Sequence, residues 1–564
     1  MPNLTDNPLI IQGDRTILLD VHAPRADEAR NALIPFAELE KSPEHLHTYR
    51  ITPLSLWNAA SAGFTPDVVS DTLDGFSRFP VPPAVRTWVV ETMARFGSIR
   101  MIPSDDPDYL VLTTDIPLVY RELEASRQMK KYLVPSGTDE FRLAVLDRGT
   151  VKQELLKLGW PVQDEAPLKD GDPLEISLRE TTLSGSPLVI RDYQRTAAAA
   201  LVGDKGPGTG FGTIVLPCGS GKTVVGMTVM EMLATSTLIL TTNVAAVHQW
   251  AAELVDKTTL TREEIGEYTG DKKEIQSVTI ATYQILTWRP DKESPFPHFS
   301  IFRERAWGLI IYDEVHLLPA PVFRVTAEIQ TVRRCGLTAT LVREDGCEGD
   351  VFSLVGPKRY DVPWKDLEEQ GWIATARCME IRVPLATEHE IDYAVAGQRQ
   401  KYRIASENPA KYAVVLELIR EHEGDSILVI GQYLKQLEKI ASELGVPIIT
   451  GKTPNVERDR IYGEFRSGAM KVIVVSKVAN FAIDLPDASV AIQISGTFGS
   501  RQEEAQRLGR ILRPKDKDSH FYTIVTARTV EEDFAANRQK FLAEQGYEYS
   551  ITRWDEMTGG GGTA

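Results

Sequence analysis

A glycine-rich turn between two regular elements contains the residues best suited to chemistry. The apolar run Thr213–Leu216 is typical of a buried strand, and Val224–Met232 is typical of a helix. The turn between them ends in Gly219-Ser220-Gly221-Lys222-Thr223. Backbone N–H groups in such a turn can approach phosphate oxygens, and the following helix adds its positive dipole end. Lys222 can then reach the β- and γ-phosphates of a nucleotide, while the Thr223 hydroxyl can hold Mg²⁺.

Two adjacent carboxylates follow a second predicted strand. Asp313 and Glu314 come directly after the apolar run Leu309–Tyr312. In phosphoryl transfer, the first carboxylate can hold the metal and the second can polarise the attacking water. The complete phosphate-loop pattern has glycine where Leu216 stands, and the carboxylates alone could form a solvated acidic turn. Turn and carboxylates together predict hydrolysis of a nucleoside triphosphate.

The composition describes a multidomain globular protein. A chain of 564 residues is too long for one core and indicates several domains. No apolar run reaches the roughly eighteen residues that span a bilayer, and the first residues do not resemble a signal peptide. The four cysteines form no Cys-x-x-Cys pair, so neither a zinc site nor a disulfide framework is indicated. These features predict a cytoplasmic protein with no membrane partner.

The charge is acidic overall but uneven along the chain. The formal net charge of −16 argues against non-specific binding to polyanions. Residues 127–157 are locally basic, and residues 398–403 place Arg399, Lys401 and Arg403 around an aromatic side chain. Each cluster could be a solvated face or part of a local groove for DNA. Binding in such a groove would weaken steeply with salt.

The pattern of elements predicts an α/β protein. Residues 1–125 mix helices and strands as in a small α+β, winged-helix-like module, and residues 126–184 form a second small unit. Strands then alternate with helices in two successive sets, which is the signature of parallel sheets. We predict their boundaries at 185–385, which contains the phosphate loop, and at 386–550. Residues 551–564 form a flexible tail.

Two arginines in the second set could complete a nucleotide site. Arg510 and Arg513 are three residues apart on a predicted helix, so both point to one face. Phosphoryl transfer needs positive charge opposite the γ-phosphate, and this half of the chain has no phosphate loop of its own. An ordinary basic helix face is the alternative. The upstream carboxylates favour arginine fingers.

The order of these segments resembles the superfamily 2 helicases and, among them, the XPB family. The resemblance extends from about residue 10 to residue 545. It implies two RecA-like motor domains preceded by winged-helix-like and damage-recognition-like modules. The segments that carry it are Arg191-Asp192-Tyr193-Gln194, Leu216–Thr223, Thr241-Thr242-Asn243, Ala281-Thr282-Tyr283-Gln284, Asp313–His316, Leu337-Thr338-Ala339-Thr340, Arg343-Glu344-Asp345, Ser476-Lys477-Val478 and Gln506–Arg513.

The resemblance implies ATP and Mg²⁺ as cofactors. Gln194 would hydrogen-bond adenine, Arg191 belongs to the same nucleotide-binding segment, and Asp484 would reach the ribose. Asp313 and Thr223 would hold Mg²⁺, and Glu314 would act as the base. The other implied nucleotide-site residues are Gly219, Ser220, Gly221, Lys222, Arg510 and Arg513.

The resemblance also implies DNA contacts in both halves of the chain. His316, Thr338 and Thr340 would couple the nucleotide cleft to DNA, and Arg343-Glu344-Asp345 would open the duplex at a fork. The short thumb-like insertion near 386–411 contributes Arg399, Lys401 and Arg403. Residues at family positions for DNA contact are Thr242, Gln249, Thr282, Thr453 and Ser476. Local capping is the alternative for their hydroxyl groups.

These inferences predict an ATP-dependent DNA helicase with 3′→5′ polarity, which the family supplies. Its role would be nucleotide excision repair or transcription-linked DNA opening. The expected partners are single-stranded and forked duplex DNA and a repair nuclease, with a monomer acting on DNA at the bacterial nucleoid. Two alternatives remain: a double-strand translocase that does not separate strands, and an ATP-gated scaffold that recruits a nuclease.

Overall fold

The computed structural model describes most of the chain. The described residues are 7–41, 45–206, 208–217, 219–291, 294, 296–318, 322, 326, 329–339, 348–362, 367–368, 370, 372, 376–476, 488–496, 519–544 and 549–559. They form four β-sheets, of which two are small and N-terminal and two are parallel and seven-stranded.

The N-terminal sheet is antiparallel and four-stranded, in the order β1-β2-β4-β3. Helix α2 begins sharply because the Thr52 side chain accepts from the Ser55 N–H, and Pro53 occupies the first helical position. The elements of this unit are β1 (Leu9–Ile11), β2 (Thr16–Asp20), α1 (Ala26–Leu33), β3 (Glu38–Lys41), β4 (Leu46–Arg50), α2 (Pro53–Ser61), α3 (Pro66–Phe76) and α4 (Pro83–Met93).

A five-stranded sheet follows in the order β7-β8-β6-β5-β9. Two of its strands precede the predicted boundary at residues 125 and 126, and three follow it. The five-stranded sheet therefore crosses the predicted boundary. Local composition does not reveal such a sheet, because its strands pair between distant segments. The elements are β5 (Ile99–Pro103), β6 (Tyr109–Thr114), α5 (Pro117–Ala125), β7 (Val134–Pro135), β8 (Glu140–Ala144), α6 (Arg148–Lys157) and β9 (Val162–Asp164), with 3₁₀ turns at Met129–Lys131 and Val145–Asp147.

The first parallel sheet has the strand order β12-β13-β11-β14-β15-β10-β16. All its pairings are parallel, and its central strands are buried along their whole length, as the apolar runs predict. Its strands are β10 (Phe211–Val215), β11 (Thr237–Thr241), β12 (Ile265–Tyr268), β13 (Val278–Thr282), β14 (Leu309–Asp313), β15 (Arg333–Thr338) and β16 (Lys358–Asp361).

Helices connect these parallel strands. Since the carboxyl ends of parallel strands meet at one edge, the loops after β10, β14 and β15 lie together there. The helices are α7 (Asp192–Val202), α8 (Lys222–Leu233), α9 (Val244–Lys257), α10 (Tyr283–Leu286) and α11 (Glu348–Asp350), with 3₁₀ turns at Arg262–Glu264, Pro297–Phe302 and Val315–Leu317 and a π-helix at Val351–Val355.

The second parallel sheet repeats this design in the order β19-β20-β18-β21-β22-β17-β23. It confirms the prediction of two parallel α/β units. The prediction of a flexible tail over residues 551–564 is wrong for its first part, because a strand at Tyr549–Arg553 joins this sheet and a helix follows at Trp554–Gly559. Its elements are β17 (Ala376–Val383), a 3₁₀ turn at Thr387–His389, α12 (Glu390–Val395), α13 (Gln398–Ser406), α14 (Ala410–Glu421), β18 (Ile427–Gly431), α15 (Leu434–Leu444), β19 (Ile448–Ile449), α16 (Asn455–Arg466), β20 (Val472–Ser476), β21 (Val490–Gln493), β22 (Ser519–Thr526), α17 (Val530–Glu544), β23 (Tyr549–Arg553) and α18 (Trp554–Gly559).

Extended chain joins the five-stranded sheet to the first parallel sheet. The Lys169 N–H donates to the Thr331 carbonyl at 2.7 Å, and the Leu174 N–H donates to the Ala234 carbonyl at 3.0 Å. The connection is therefore fixed along the parallel sheet by backbone hydrogen bonds.

None of the helices in the described ranges is both long and apolar enough to cross a bilayer.

Candidate active site and nucleic-acid face

The phosphate loop lies at the carboxyl end of β10, between that strand and α8. The Leu216 N–H donates to the Thr338 carbonyl at 2.9 Å and fixes the start of the loop. Helix α8 begins at Lys222, directly after Gly221. The φ of Gly221 is +81°, a left-handed conformation that glycine adopts without steric cost. The helix N-terminus therefore lies at the turn, where its N–H groups and dipole favour phosphate.

Side chains of α7 hold this loop from one side. Tyr193 Oη and Gln194 Nε2 both donate to the Ser220 carbonyl, at 2.6 and 2.8 Å. The Arg191 N–H donates to Gln194 Oε1 at 2.9 Å and orients the amide. A Cβ on Gly221 would lie 2.6 Å from Gln194 Nε2, so close packing also requires glycine there. The structure places Gln194 on the loop backbone, and its contact with adenine stays a prediction.

The chain leaves β14 at Asp313 and turns sharply at Glu314. Glu314 has φ +51° and ψ +54°, so it is a non-glycine residue in the left-handed region. This conformation costs roughly 1–2 kcal/mol for such a residue. The Leu317 N–H donates to the Glu314 carbonyl at 2.8 Å and closes the turn. Strain held at a half-buried acidic residue points to a functional position for its carboxylate.

Lys222 and Glu314 face each other across the phosphate loop. Lys222 Nζ lies 3.7 Å from Glu314 Oε1, and the two side chains are only 12% and 20% exposed. Glu314 Oε2 lies 3.5 Å from His316 Nδ1, which shares a hydrogen bond of 2.6 Å with Thr338 Oγ1. A chain of polar contacts therefore runs from the lysine of the loop to the end of β15.

Trp250 fixes the other carboxylate. Its indole N–H donates to Asp313 Oδ2 at 2.9 Å. Burial and the adjacent charge of Glu314 raise the pKa of Asp313 to about 6, whereas the Trp250 hydrogen bond and Lys222 lower it. Two neighbouring carboxylates repel each other when both are ionised, so a cation beside them is favoured.

The donors at this site fit Mg²⁺. Asp313 contributes a carboxylate and Thr223 a hydroxyl, the oxygen ligands that this ion prefers. Magnesium in phosphoryl-transfer sites is held by one or two protein groups together with the substrate phosphates, so a large protein cage is unnecessary. Among the described side chains, His, Cys, Asp and Glu form no group of three or more suited to a metal.

Tyr193 and Trp250 are two site residues to which the sequence pattern gives no role. Both are aromatic side chains on amphipathic helices, and such positions usually belong to the core. Their polar groups nevertheless reach the phosphate loop and the Asp313 carboxylate. The signal in the sequence was an aromatic residue with a hydrogen-bond donor inside a segment that carries a helicase motif.

Among the predicted DNA contacts of the first half, Thr242 and Thr282 lie at strand ends and Gln249 lies within α9. The Thr282 hydroxyl accepts from the Ile285 N–H at 3.2 Å, so it caps α10 in this structure. Gln249 is exposed and donates to Glu253 at 3.0 Å. The Thr242 hydroxyl accepts from Asn243 Nδ2 at 3.1 Å. Each side chain has a local structural role, and contact with DNA stays a prediction.

The second half presents its predicted DNA contacts in three separate places. Thr453 Oγ1 accepts from the Thr450 N–H at 2.9 Å, and Ser476 is buried at the end of β20. Helix α13 carries the basic cluster, with Arg403 bonded to Glu407 at 2.7 Å. The side chains of Arg399 and Arg403 are exposed, and Lys401 is half-buried.

Several predicted site residues lie outside the described residues. They are Thr340, Arg343, Glu344, Asp345, Asp484, Arg510 and Arg513. Of the predicted catalytic set, the structure therefore brings together Lys222, Asp313 and Glu314.

Family models match three parts of the chain. Residues 367–559 match the ERCC3/RAD25/XPB C-terminal helicase, residues 187–343 match the res subunit of type III restriction enzymes, and residues 9–136 match a helicase conserved C-terminal domain. The last match ends inside the five-stranded sheet, between β7 and β8.

Curated relatives cover nearly the whole chain. A protein named DNA 3′-5′ helicase XPB from Kineococcus radiotolerans is 52% identical over 99% of this chain and 98% of its own length. A protein of the same name from Mycobacterium tuberculosis is 50% identical over 99% of this chain and 100% of its own. The general transcription and DNA repair factor IIH helicase/translocase subunit XPB from Enterocytozoon bieneusi is 32% identical over 98% of this chain and 94% of its own. The motifs, the paired parallel sheets and these full-length relatives agree, and the chain belongs to the XPB family of superfamily 2 helicases.

Proposed function

We propose that this chain is an ATP-dependent DNA helicase that moves 3′→5′ and opens duplex DNA in repair or during transcription. The observation that carries the proposal is the approach of Lys222 to Glu314 beside an Asp313 held by Trp250. That arrangement provides a phosphate-binding cation, a base and a metal-binding carboxylate at one sheet edge. The names of the full-length relatives support DNA as the substrate.

The chain's own residues divide the work of hydrolysis. Lys222 and the N-terminus of α8 bind the β- and γ-phosphates, and Glu314 accepts a proton from the attacking water. Bound Mg²⁺, held by Thr223 and Asp313, would neutralise negative charge on the phosphate oxygens. We propose that Arg510 and Arg513 complete the cleft from the second motor domain, and that Asp484 and Gln194 contact ribose and adenine.

Coupling to DNA begins at Glu314. His316 lies between Glu314 and Thr338, so a change at the γ-phosphate reaches the end of β15 through two contacts. We propose that Thr340 and Arg343-Glu344-Asp345, which follow in sequence, transmit this change to the fork. The basic helix α13 would hold the DNA from the second motor domain, within the predicted thumb-like insertion.

Double-strand translocation without unwinding is the second candidate function. The thumb-like insertion contains only two short helices, α12 of six residues and α13 of nine, which offers little surface to grip a duplex. Displacement of a strand from a 3′-tailed duplex supports the helicase. Removal of only a triplex-forming third strand, with the duplex left intact, supports the translocase.

Polarity is tested with matched duplexes that carry either a 3′ or a 5′ single-stranded tail. We expect ATP-dependent displacement from the 3′-tailed substrate alone. Equal displacement from both tails contradicts directional movement. We also propose that the protein acts as a monomer at nucleoid DNA in the cytoplasm and cooperates with a repair nuclease.

A further inference from the structure

A cavity of about 190 Å³ lies where three parts of the chain meet. Ser61 contributes from the N-terminal unit, Lys152 and Gln163 from the five-stranded sheet unit, and Phe211 and Arg359 from the first parallel sheet. Direct contacts join these parts around it: Asn58 Oδ1 accepts from the Lys358 N–H at 3.0 Å, and Gln153 Nε2 donates to Asp350 at 2.7 Å. The cavity is therefore part of a fixed junction.

Cations outnumber carboxylates around this cavity. Arg148, Lys152, Arg334 and Arg359 are linked to it by contacts, and Asp164 is a carboxylate at its wall that pairs with Arg148 and Lys152. Lys152 Nζ and both Arg148 Nε and Nη2 bond to Asp164 at 2.8–3.0 Å. A buried cluster with this imbalance is costly unless another anion joins it.

One aromatic ring gathers three of these cations. Lys152 Nζ and the guanidinium carbons of Arg334 and Arg359 lie 5.6, 5.1 and 5.5 Å from the centroid of Phe211, which lines the cavity. A ring face attracts cations only weakly and cannot replace a counter-charge. The excess positive charge thus remains at the cavity.

Buried donors remain at this cluster. Arg334 is fully buried, and its Nε and Nη2 atoms have no hydrogen-bond partner in the described structure. Its Nη1 donates to the Gln330 carbonyl at 2.8 Å, and Gln330 Oε1 accepts from Lys152 Nζ at 2.8 Å, so the two cations share one partner. Unused buried donors of this kind normally meet an acceptor.

The electrostatics agree with the geometry. Burial, with a smaller contribution from the neighbouring charges of Arg334 and Arg148, lowers the pKa of Lys152 to about 7 although Asp164 raises it. Burial also lowers the pKa of Arg334 to about 10 and depresses that of Arg359. An oxyanion beside these groups would stabilise their charged forms.

We propose that this junction cavity binds a small polyvalent oxyanion of the phosphate class. Lys152 would contact it directly, and the amide of Gln163, which also donates to Glu165 at 2.7 Å, lies at the wall. The bound anion would tie the two N-terminal units to the first parallel sheet. This site is separate from the phosphate loop and does not depend on the proposed function.

The test uses thermal unfolding of the full chain in inorganic phosphate and in pyrophosphate, with NaCl at matched ionic strength as the control. Because the phosphate loop also binds these anions, every protein carries Lys222→Ala. We expect a saturable rise in melting temperature, and Lys152→Met should weaken the apparent affinity about tenfold or more. Lys157→Met is the matched control, since that lysine is on the same helix with its side chain 66% exposed.

Equal stabilisation by NaCl, or an unchanged response in Lys152→Met, overturns the proposal. Protection by short DNA but not by free phosphate also overturns it, because the anion would then belong to a DNA backbone. If Lys152→Met does not fold, crystals of the unmodified chain soaked in selenate decide the matter. An anomalous peak within hydrogen-bond distance of Lys152 Nζ supports the site, and a peak confined to the phosphate loop refutes it.

Discussion

The contact between Trp250 and Asp313 offers a sharp test of the proposed metal-binding site. Replacing Trp250 by Phe keeps an aromatic ring on α9 and removes the indole N–H that reaches Asp313 Oδ2 at 2.9 Å. A hydrogen bond to a charged group contributes about 1.5–3 kcal/mol. Mutation of a residue that hydrogen-bonds a metal-binding side chain typically weakens metal affinity about 10- to 100-fold. We therefore expect Trp250→Phe to raise the half-saturating Mg²⁺ concentration for ATP hydrolysis about tenfold or more.

The matched control is Trp307→Phe. Trp307 is equally buried in the same parallel-sheet unit, and its indole N–H donates to the Ile301 carbonyl at 2.8 Å, away from the carboxylates. Both substitutions remove the same atoms and should lower thermal stability by similar amounts. ATP hydrolysis is then measured across a Mg²⁺ titration at fixed ATP. A Mg²⁺ dependence that is the same in Trp250→Phe and Trp307→Phe contradicts the role assigned to Trp250.

Three further predictions concern the rest of the chain. Lys411→Met removes one partner of a buried ion pair with Glu531, in which the charged atoms lie 2.8 Å apart, and should lower the free energy of unfolding in urea by about 3–5 kcal/mol. The double variant Lys411→Met/Glu531→Leu should regain part of that stability. An unchanged free energy of unfolding in the single variant contradicts this prediction. Burial holds the pKa of His47 at about 4 rather than 6.5, so the unfolded state binds more protons between these values and stability falls by up to about 3 kcal/mol as pH drops from 6.5 to 4. His47→Gln should remove that component of the acid sensitivity in pH-dependent melting, and an unaltered pH profile argues against it. Gly221→Ala should abolish ATP binding, measured with a fluorescent nucleotide. The control Gly270→Ala should bind normally, because a Cβ at that position has no atom within 4 Å. Normal binding by both variants contradicts the packing argument.

The sequence was sufficient to predict the two parallel sheets and to place Lys222 and Glu314 in one nucleotide site. Both inferences depend on local pattern, because apolar runs mark buried strands and the carboxyl ends of parallel strands share one edge. The observed strand β14 extends the predicted run Leu309–Tyr312 by one residue. The order of the helicase motifs along the chain then indicated the family by resemblance.

Contacts between distant segments could not be predicted in this way. Trp250 and Asp313 are 63 residues apart, and Lys152 and Gln330 are 178 apart, so neither pair leaves a local pattern. The pairing of β5 with β9 likewise unites segments on both sides of the predicted boundary after residue 125. Such contacts depend on how the helices and strands pack against one another, and hydrophobic periodicity within one element does not encode that packing.

The central claim is that DNA stimulates ATP hydrolysis at a site where Glu314 is the base. The most direct test compares the unmodified chain with Glu314→Gln, each without nucleic acid and with single-stranded DNA, duplex DNA or RNA. Strong stimulation of ATP turnover by DNA, lost in Glu314→Gln although that variant still binds ATP, is the predicted result. Turnover that is indifferent to DNA, or that survives the loss of Glu314, contradicts the account and favours an ATP-gated scaffold.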